Sequence, residues 1–136
     1  MFIRLETTSG VPITRQIADQ IRAQCAGGAL TPGQRLPSVR ALARELAVNQ
    51  NTILHVYEQL TMEGLLERRH GEGTYVAEKL PAGRMKVQLK LLQREAERLA
   101  CQAAALGVEP AELHELIDRA VKALDRSSSN PKGRPQ

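Results

Sequence analysis

Only three residues, Ala47, Val48 and Asn49, separate two stretches of helical periodicity, and so short a break leaves the chain little freedom. Before it, Val39, Leu42, Ala43 and Leu46 mark a helix of two to three turns, with Ser38 as its N-cap. After it, Asn49 is again a good N-cap, and Ile53, Val56, Tyr57 and Leu60 mark a helix from Gln50 to about Glu63, closed by Gly64. Two helices joined this tightly must cross at a steep angle to bury their apolar stripes together.

The neighbouring segments fit the same reading. Upstream, Pro12 suits a first helical turn, and Ile13, Ile17, Ile21 and Cys25 step by four until Gly27 and Gly28 end the stripe. The stretch from Leu30 to Pro37 is turn chemistry around Pro32 and Gly33. Downstream of Gly64 the period changes. Leu65 to Arg69 and Thr74 to Val76 read as two short strands, with His70, Gly71, Glu72 and Gly73 as a glycine-bearing loop between them. Two short helices followed by such a hairpin are the layout of a winged helix-turn-helix.

A second region begins after the break at Pro81 and Gly83. Met85, Leu89, Leu92, Ala96, Leu99, Ala103 and Leu106 step alternately by four and three, an apolar heptad seam. A helix from Arg84 to Leu106 would be about 34 Å long, with more apolar face than one partner helix can cover. Gly107 to Pro110 breaks it, and Leu113, Leu116, Ile117, Ala120, Val121 and Leu124 mark a last helix. The expected fold is mainly α with a small β wing. The expected organisation is a winged helix-turn-helix domain over 1–78, a two-helix dimerisation hairpin over 79–126 and a disordered tail over 127–136. The dimer contacts expected are Met85, Leu89, Leu92, Ala96, Leu99, Ala103, Leu106, Leu113, Ile117 and Leu124. The alternative is a hairpin in which the two helices cover each other within one chain.

Composition limits the function. The formal charge is only +4, so a nucleic-acid surface requires the basic residues to converge in space. With three aromatic residues, Phe2, Tyr57 and Tyr75, the chain has no stacking platform for single strands. Cys25 and Cys101 stand far apart and His55, His70 and His114 are scattered, so neither a metal site nor a disulfide is expected. No phosphate-binding loop or nucleophile motif is present, so no catalysis and no cofactor are expected. No apolar run reaches a membrane span and Met1 to Glu6 has no signal-peptide layout, which makes the cytoplasm the expected compartment.

The residues opening the helix after the break carry the functional signal. Gln50 and Asn51 can each pair bidentately with adenine, and Thr52 can touch a thymine methyl or a phosphate. Capping is satisfied by Asn49 alone and does not call for three further polar residues. Asn51 and His55 lie opposite the apolar stripe, and His55 is a possible base-edge contact. Arg40 and Arg44 share one side of the preceding helix and suit phosphates. At the hairpin tip, Arg69, His70 and Gly71 are candidates for phosphate or minor-groove contact, with one of Arg68 and Arg69 turned away by strand alternation.

From Ile13 to Val76, through LPSVRALAREL, AVNQNTI and EGLLERRHGEGTYV, the sequence resembles the DNA-binding domain of GntR-family bacterial transcription regulators. In that family the arginine after the LPS turn, the opening of the recognition helix and the wing tip meet the operator. This implies Arg40, then Gln50, Asn51 and Thr52, then His70 and Gly71. The family usually has glycine where Ala47 stands; a positive φ there would cost alanine about 1 kcal/mol. The short region after the wing is similar to YtrA-type members, whose two C-terminal helices serve dimerisation. The resemblance implies a homodimeric regulator, usually a repressor, on an inverted-repeat operator of double-stranded DNA. The competing reading is a winged-helix protein-interaction module without specific DNA binding. No effector ligand can be named from the residues.

Overall fold

The computed structural model describes residues 1–129 and divides the chain into two compact units, Met1 to Leu89 and from Lys90 onward. The elements in order are α1 (Ile13–Gly27), α2 (Val39–Leu46), α3 (Gln50–Met62), β1 (Leu66–Arg69), β2 (Gly73–Val76), α4 (Arg84–Ala105) and α5 (Pro110–Ser129). The division of units falls inside α4. No helix among the described residues is long and apolar enough to cross a membrane.

The first unit is built on the stripes the spacing predicts. Ile17, Ile21 and Cys25 of α1, Leu42 and Ala43 of α2, and Ile53, Val56, Tyr57 and Leu60 of α3 form one buried cluster, joined by Leu30, Leu36, Leu66 and Val76. Ser38 Oγ accepts the Ala41 N–H at 3.0 Å and Asn49 Oδ1 accepts the Asn51 N–H at 2.7 Å, so both expected caps form. Gly28 ends α1 in the left-handed region (φ 86°).

Ala47, which caps α2, is left-handed as well, with φ 57° and ψ 46°; it is the one positive-φ residue other than glycine among those described. The turn therefore keeps the geometry a glycine would supply, and the Cβ bears the strain. Ala47→Gly is expected to stabilise the first unit by about 0.5–1 kcal/mol, after the extra unfolded-state entropy of glycine is subtracted. Thermal melting of the two proteins checks this; a midpoint raised by a few degrees, on the order of 3 °C, is the expected result.

The wing is an antiparallel pair with Leu66 opposite Val76, Glu67 opposite Tyr75, Arg68 opposite Thr74 and Arg69 opposite Gly73. Its loop is His70, Gly71 and Glu72, with Gly71 at φ 76° and the Glu72 N–H donating to the Arg69 carbonyl at 2.8 Å. One feature was not expected from the spacing. Arg35, in the segment before α2, bridges Tyr75, and the flanking bonds run from Leu36 N–H to the Thr74 carbonyl (2.9 Å) and from Val76 N–H to the Gln34 carbonyl (2.8 Å). The wing thus has a third, one-residue edge tied to the start of the helix pair.

The N-terminal residues also carry structure. Gln16, Gln20 and Gln24 stand at successive turns of α1, and each side-chain amide pairs with one backbone unit, at Glu6, Arg4 and Phe2 respectively. Four residues of helix rise about 6.0 Å and two residues of extended chain about 6.7 Å, so the two repeats match closely enough to stay in step. Met1, Ile3 and Leu5, the alternate residues, pack against the core.

In the second unit, α4 ends at Ala105, one residue before the expected Leu106. Gly107 takes φ 71°, and the Val108 N–H reaches the Ala103 carbonyl at 2.9 Å, which closes the helix end. Pro110 opens α5 at the position where its missing N–H costs nothing. The helix α5 extends to Ser129, three residues into the tail expected from composition. Continuing an existing helix fixes one residue per bond, so serines after Arg126 add to it at little cost. The rest of that tail, 130–136, lies outside the described residues.

Among the described residues most of the α4 seam is exposed. Met85 is 44% exposed, Leu89 56%, Leu92 64%, Leu99 39% and Leu106 80%, and Ala96 is exposed; among the seam residues Ala103 alone is buried. On α5, Ile117 and Leu124 are also exposed and Leu113 is half-buried. Cys25 is a buried free thiol and Cys101 an exposed one.

Candidate nucleic-acid interface

The site is assembled by the crossing of α2 and α3. Tyr57, on the buried side of α3, donates its hydroxyl to the Pro37 carbonyl at 2.7 Å, which fixes α3 to the turn that starts α2. Burial pushes the Tyr57 phenol well above its ordinary pKa, and the nearby charge of Glu45 adds to this. The group therefore stays protonated and keeps donating throughout the neutral range. At the C-terminal end of α3, Arg22 of α1 meets Glu63 in two parallel bonds of 2.8 and 2.7 Å. That hydrogen bond holds the Glu63 carboxyl below its usual range. The recognition helix is thus pinned at its middle and at its C-terminal end.

What remains in solvent is its opening turn. Gln50 and Asn51 are exposed, Thr52 is half-buried, and His55 is exposed one turn on. An open concavity beside this turn is lined by Arg40, Ala43, Arg44, Ala47, Val48 and Gln50. Arg40 and Arg44 are exposed, and among the described residues neither takes part in an ion pair. The structure therefore brings together, on one face, two unneutralised guanidinium groups and the polar start of α3, where helix N–H groups and the dipole favour anions.

The wing tip is arranged differently from the expectation for Arg69. Its guanidinium hydrogen-bonds Glu67 at 3.2 Å and Glu78 at 3.0 Å and lies 4.0 Å above the Tyr75 ring. Glu67 and Tyr75 share its face of the sheet, and Glu78 lies nine residues further on. These partners all lie within the wing or just after it, so Arg69 ties Glu67, Tyr75 and Glu78 together. Arg68 alternates to the other face and is exposed with no ion pair among the described residues, as are His70 and Gly71 at the loop. The spacing of the two arginines required that one be turned away; Glu67 on the same face and Glu78 together make Arg69 the one that is occupied.

Comparison with known proteins agrees with this geometry. Residues 13–76 match the model of the bacterial regulatory proteins of the gntR family. Over 115 residues the chain is 35% identical to the HTH-type transcriptional repressor YtrA of Bacillus subtilis, spanning 85% of this chain and 88% of that one. The chain belongs to the GntR family. As a GntR protein it is a DNA-binding transcriptional regulator and not an enzyme. Other GntR relatives match over less of their length; YhcF of Bacillus subtilis is 46% identical over 52% of this chain and 59% of its own. Among solved structures, the GntR-family transcription factor YtrA from Sulfolobus acidocaldarius is 30% identical and superposes with a TM-score of 0.54 over 90% of this chain and 99% of that one. The DNA-binding domain of AraR, solved in complex with its operator ORX1, is 25% identical with a TM-score of 0.50 over 57% of this chain and 96% of that domain.

Proposed function

We propose that this GntR protein is a cytoplasmic homodimeric repressor that reads an inverted-repeat operator in double-stranded DNA. Gln50, Asn51 and Thr52 meet base edges in the major groove, with His55 further along the helix. Arg40 and Arg44 meet phosphates, and His70 and Gly71 enter the adjacent minor groove. The observation that carries the reading is the exposed polar turn of α3 beside two unneutralised arginines. The operator complex of the AraR domain supports the docking mode, and the repressor YtrA supports the sign of regulation. The exposed seam of α4 supports the homodimer, because a two-fold second copy buries the same apolar heptad stripe of both chains at once. A two-fold dimer presents two recognition helices to one DNA face, one helical turn or a multiple of it apart.

Selection from a random-sequence duplex pool tests this. The expected product is a two-fold symmetric site whose affinity falls steeply with salt, as counterions leave the phosphates. A pool that stays random after repeated rounds, or a site without symmetry, refutes the proposal.

A further inference from the structure

The Arg35 guanidinium has no role in the interface described so far, and its surroundings are unlike those of the other wing cations. Arg35 opposes Tyr75 as a non-hydrogen-bonded antiparallel pair, the arrangement that brings side chains of one face closest. Its side chain therefore shares a sheet face with Tyr75, Glu67, Arg69 and Gly73. It runs two residues toward the tip: a Cβ built on Gly73 would lie 3.6 Å from both Nε and an Nη of Arg35. Gly73 is the first residue of β2, directly after the loop of His70, Gly71 and Glu72. The two carboxylates of that face are already engaged by Arg69. Arg35 is exposed and, among the described residues, has no ion pair.

The backbone that carries it is held from two directions. Leu36 is buried and donates to Thr74 of the wing. Pro37, the next residue, accepts from Tyr57 of the recognition helix. Arg35 is thus fixed to both DNA-reading elements at once, and its charge is left without an internal partner.

We propose that Arg35 is a phosphate-binding residue of the wing, contacting the DNA backbone beside the groove that the His70–Gly71 loop enters. It supplies the charge that the sequence spacing would have assigned to Arg69. The contact is to a phosphodiester and not to a base, because the side chain lies along the sheet face behind the tip. The proposal rests on the DNA-binding reading above and adds a residue to it.

The probe is a fluorescent mixed-sequence duplex of about 30 base pairs, long enough for two half-sites. A phosphate contact weakens binding to every sequence alike, so no operator is needed. Binding of the full chain is followed by anisotropy between about 50 and 200 mM salt. Arg35→Ala is expected to bind several-fold, on the order of tenfold, more weakly at low salt. Its slope of log affinity against log salt should be shallower by about 0.9 for each protomer bound. Arg35→Lys should retain the wild-type slope. Equal melting temperatures establish that Arg35→Ala is folded; if it is not, Arg35→Gln serves in its place. The proposal is overturned if the variant matches wild type in affinity and slope, or if affinity falls while the slope stays, which would make Arg35 a packing residue. Wild type that binds no duplex removes the DNA reading together with this one; wild type that binds normally while Arg35→Ala is silent removes only this one.

Discussion

Replacing Gln50, Asn51 and Thr52 together by alanine is expected to abolish discrimination while leaving the protein folded and still attached to DNA. Each bidentate base contact is worth about 1–3 kcal/mol against the wrong base, so losing the Gln50 and Asn51 pairings lowers affinity for the selected operator by about 100-fold or more. Affinity for mixed-sequence DNA should change by less than about threefold, since Arg40 and Arg44 remain to meet phosphates. Stability should hardly move. The Asn49 cap is untouched, the first two of the three side chains are exposed, and alanine is the better helix former. The measurement is a pair of titrations, operator and mixed sequence, beside a thermal melt. Unchanged operator affinity in a folded variant would return the protein to the interaction-module reading.

The double substitution Leu92→Glu with Leu99→Glu is expected to convert the protein to a monomer. In the single chain both side chains are exposed, at 64% and 39%, so the change costs the protomer little. In a dimer each leucine would contribute about 1.5–3 kcal/mol of burial, and a carboxylate enclosed without a partner costs several kcal/mol more. Both effects act twice across a two-fold interface. Sedimentation at micromolar concentration should show the wild type at twice the mass of the variant. Operator affinity should fall by about 100- to 10,000-fold, because the second half-site is no longer held at a high effective concentration. The first unit keeps its own core, from Ile17 to Val76, and should retain its melting transition. A variant that sediments with the wild type would mean that the seam faces something other than a second copy.

The elements of the first unit were legible because each announces itself by a local repeat. The stripe Ile13, Ile17, Ile21 and Cys25 steps by four residues, the caps at Ser38 and Asn49 sit next to the helices they start, and the glycines of the wing loop interrupt a two-residue alternation. A positive φ at Ala47 was suggested only by the glycine that GntR members usually carry there, and not by any local repeat. The glutamine ladder on α1 was not read, although its spacing of four is as regular as the apolar one. A polar stripe is ordinarily a solvated face, and nothing local indicates that Phe2, Arg4 and Glu6 will come back to meet it.

The amino-acid order alone determined the helices, the wing, the polar turn that opens α3 and the apolar seam of α4, since periodicity and capping act over a few neighbouring residues. Tertiary structure alone decided which arginines remain charged toward the outside. Arg69 is paired with Glu67 on its own strand and also with Glu78, nine residues away, and Arg35 is left without an ion pair among the described residues, beside a strand some forty residues further on. Coulomb attraction depends on distance through space, and that distance exists only once the chain has folded.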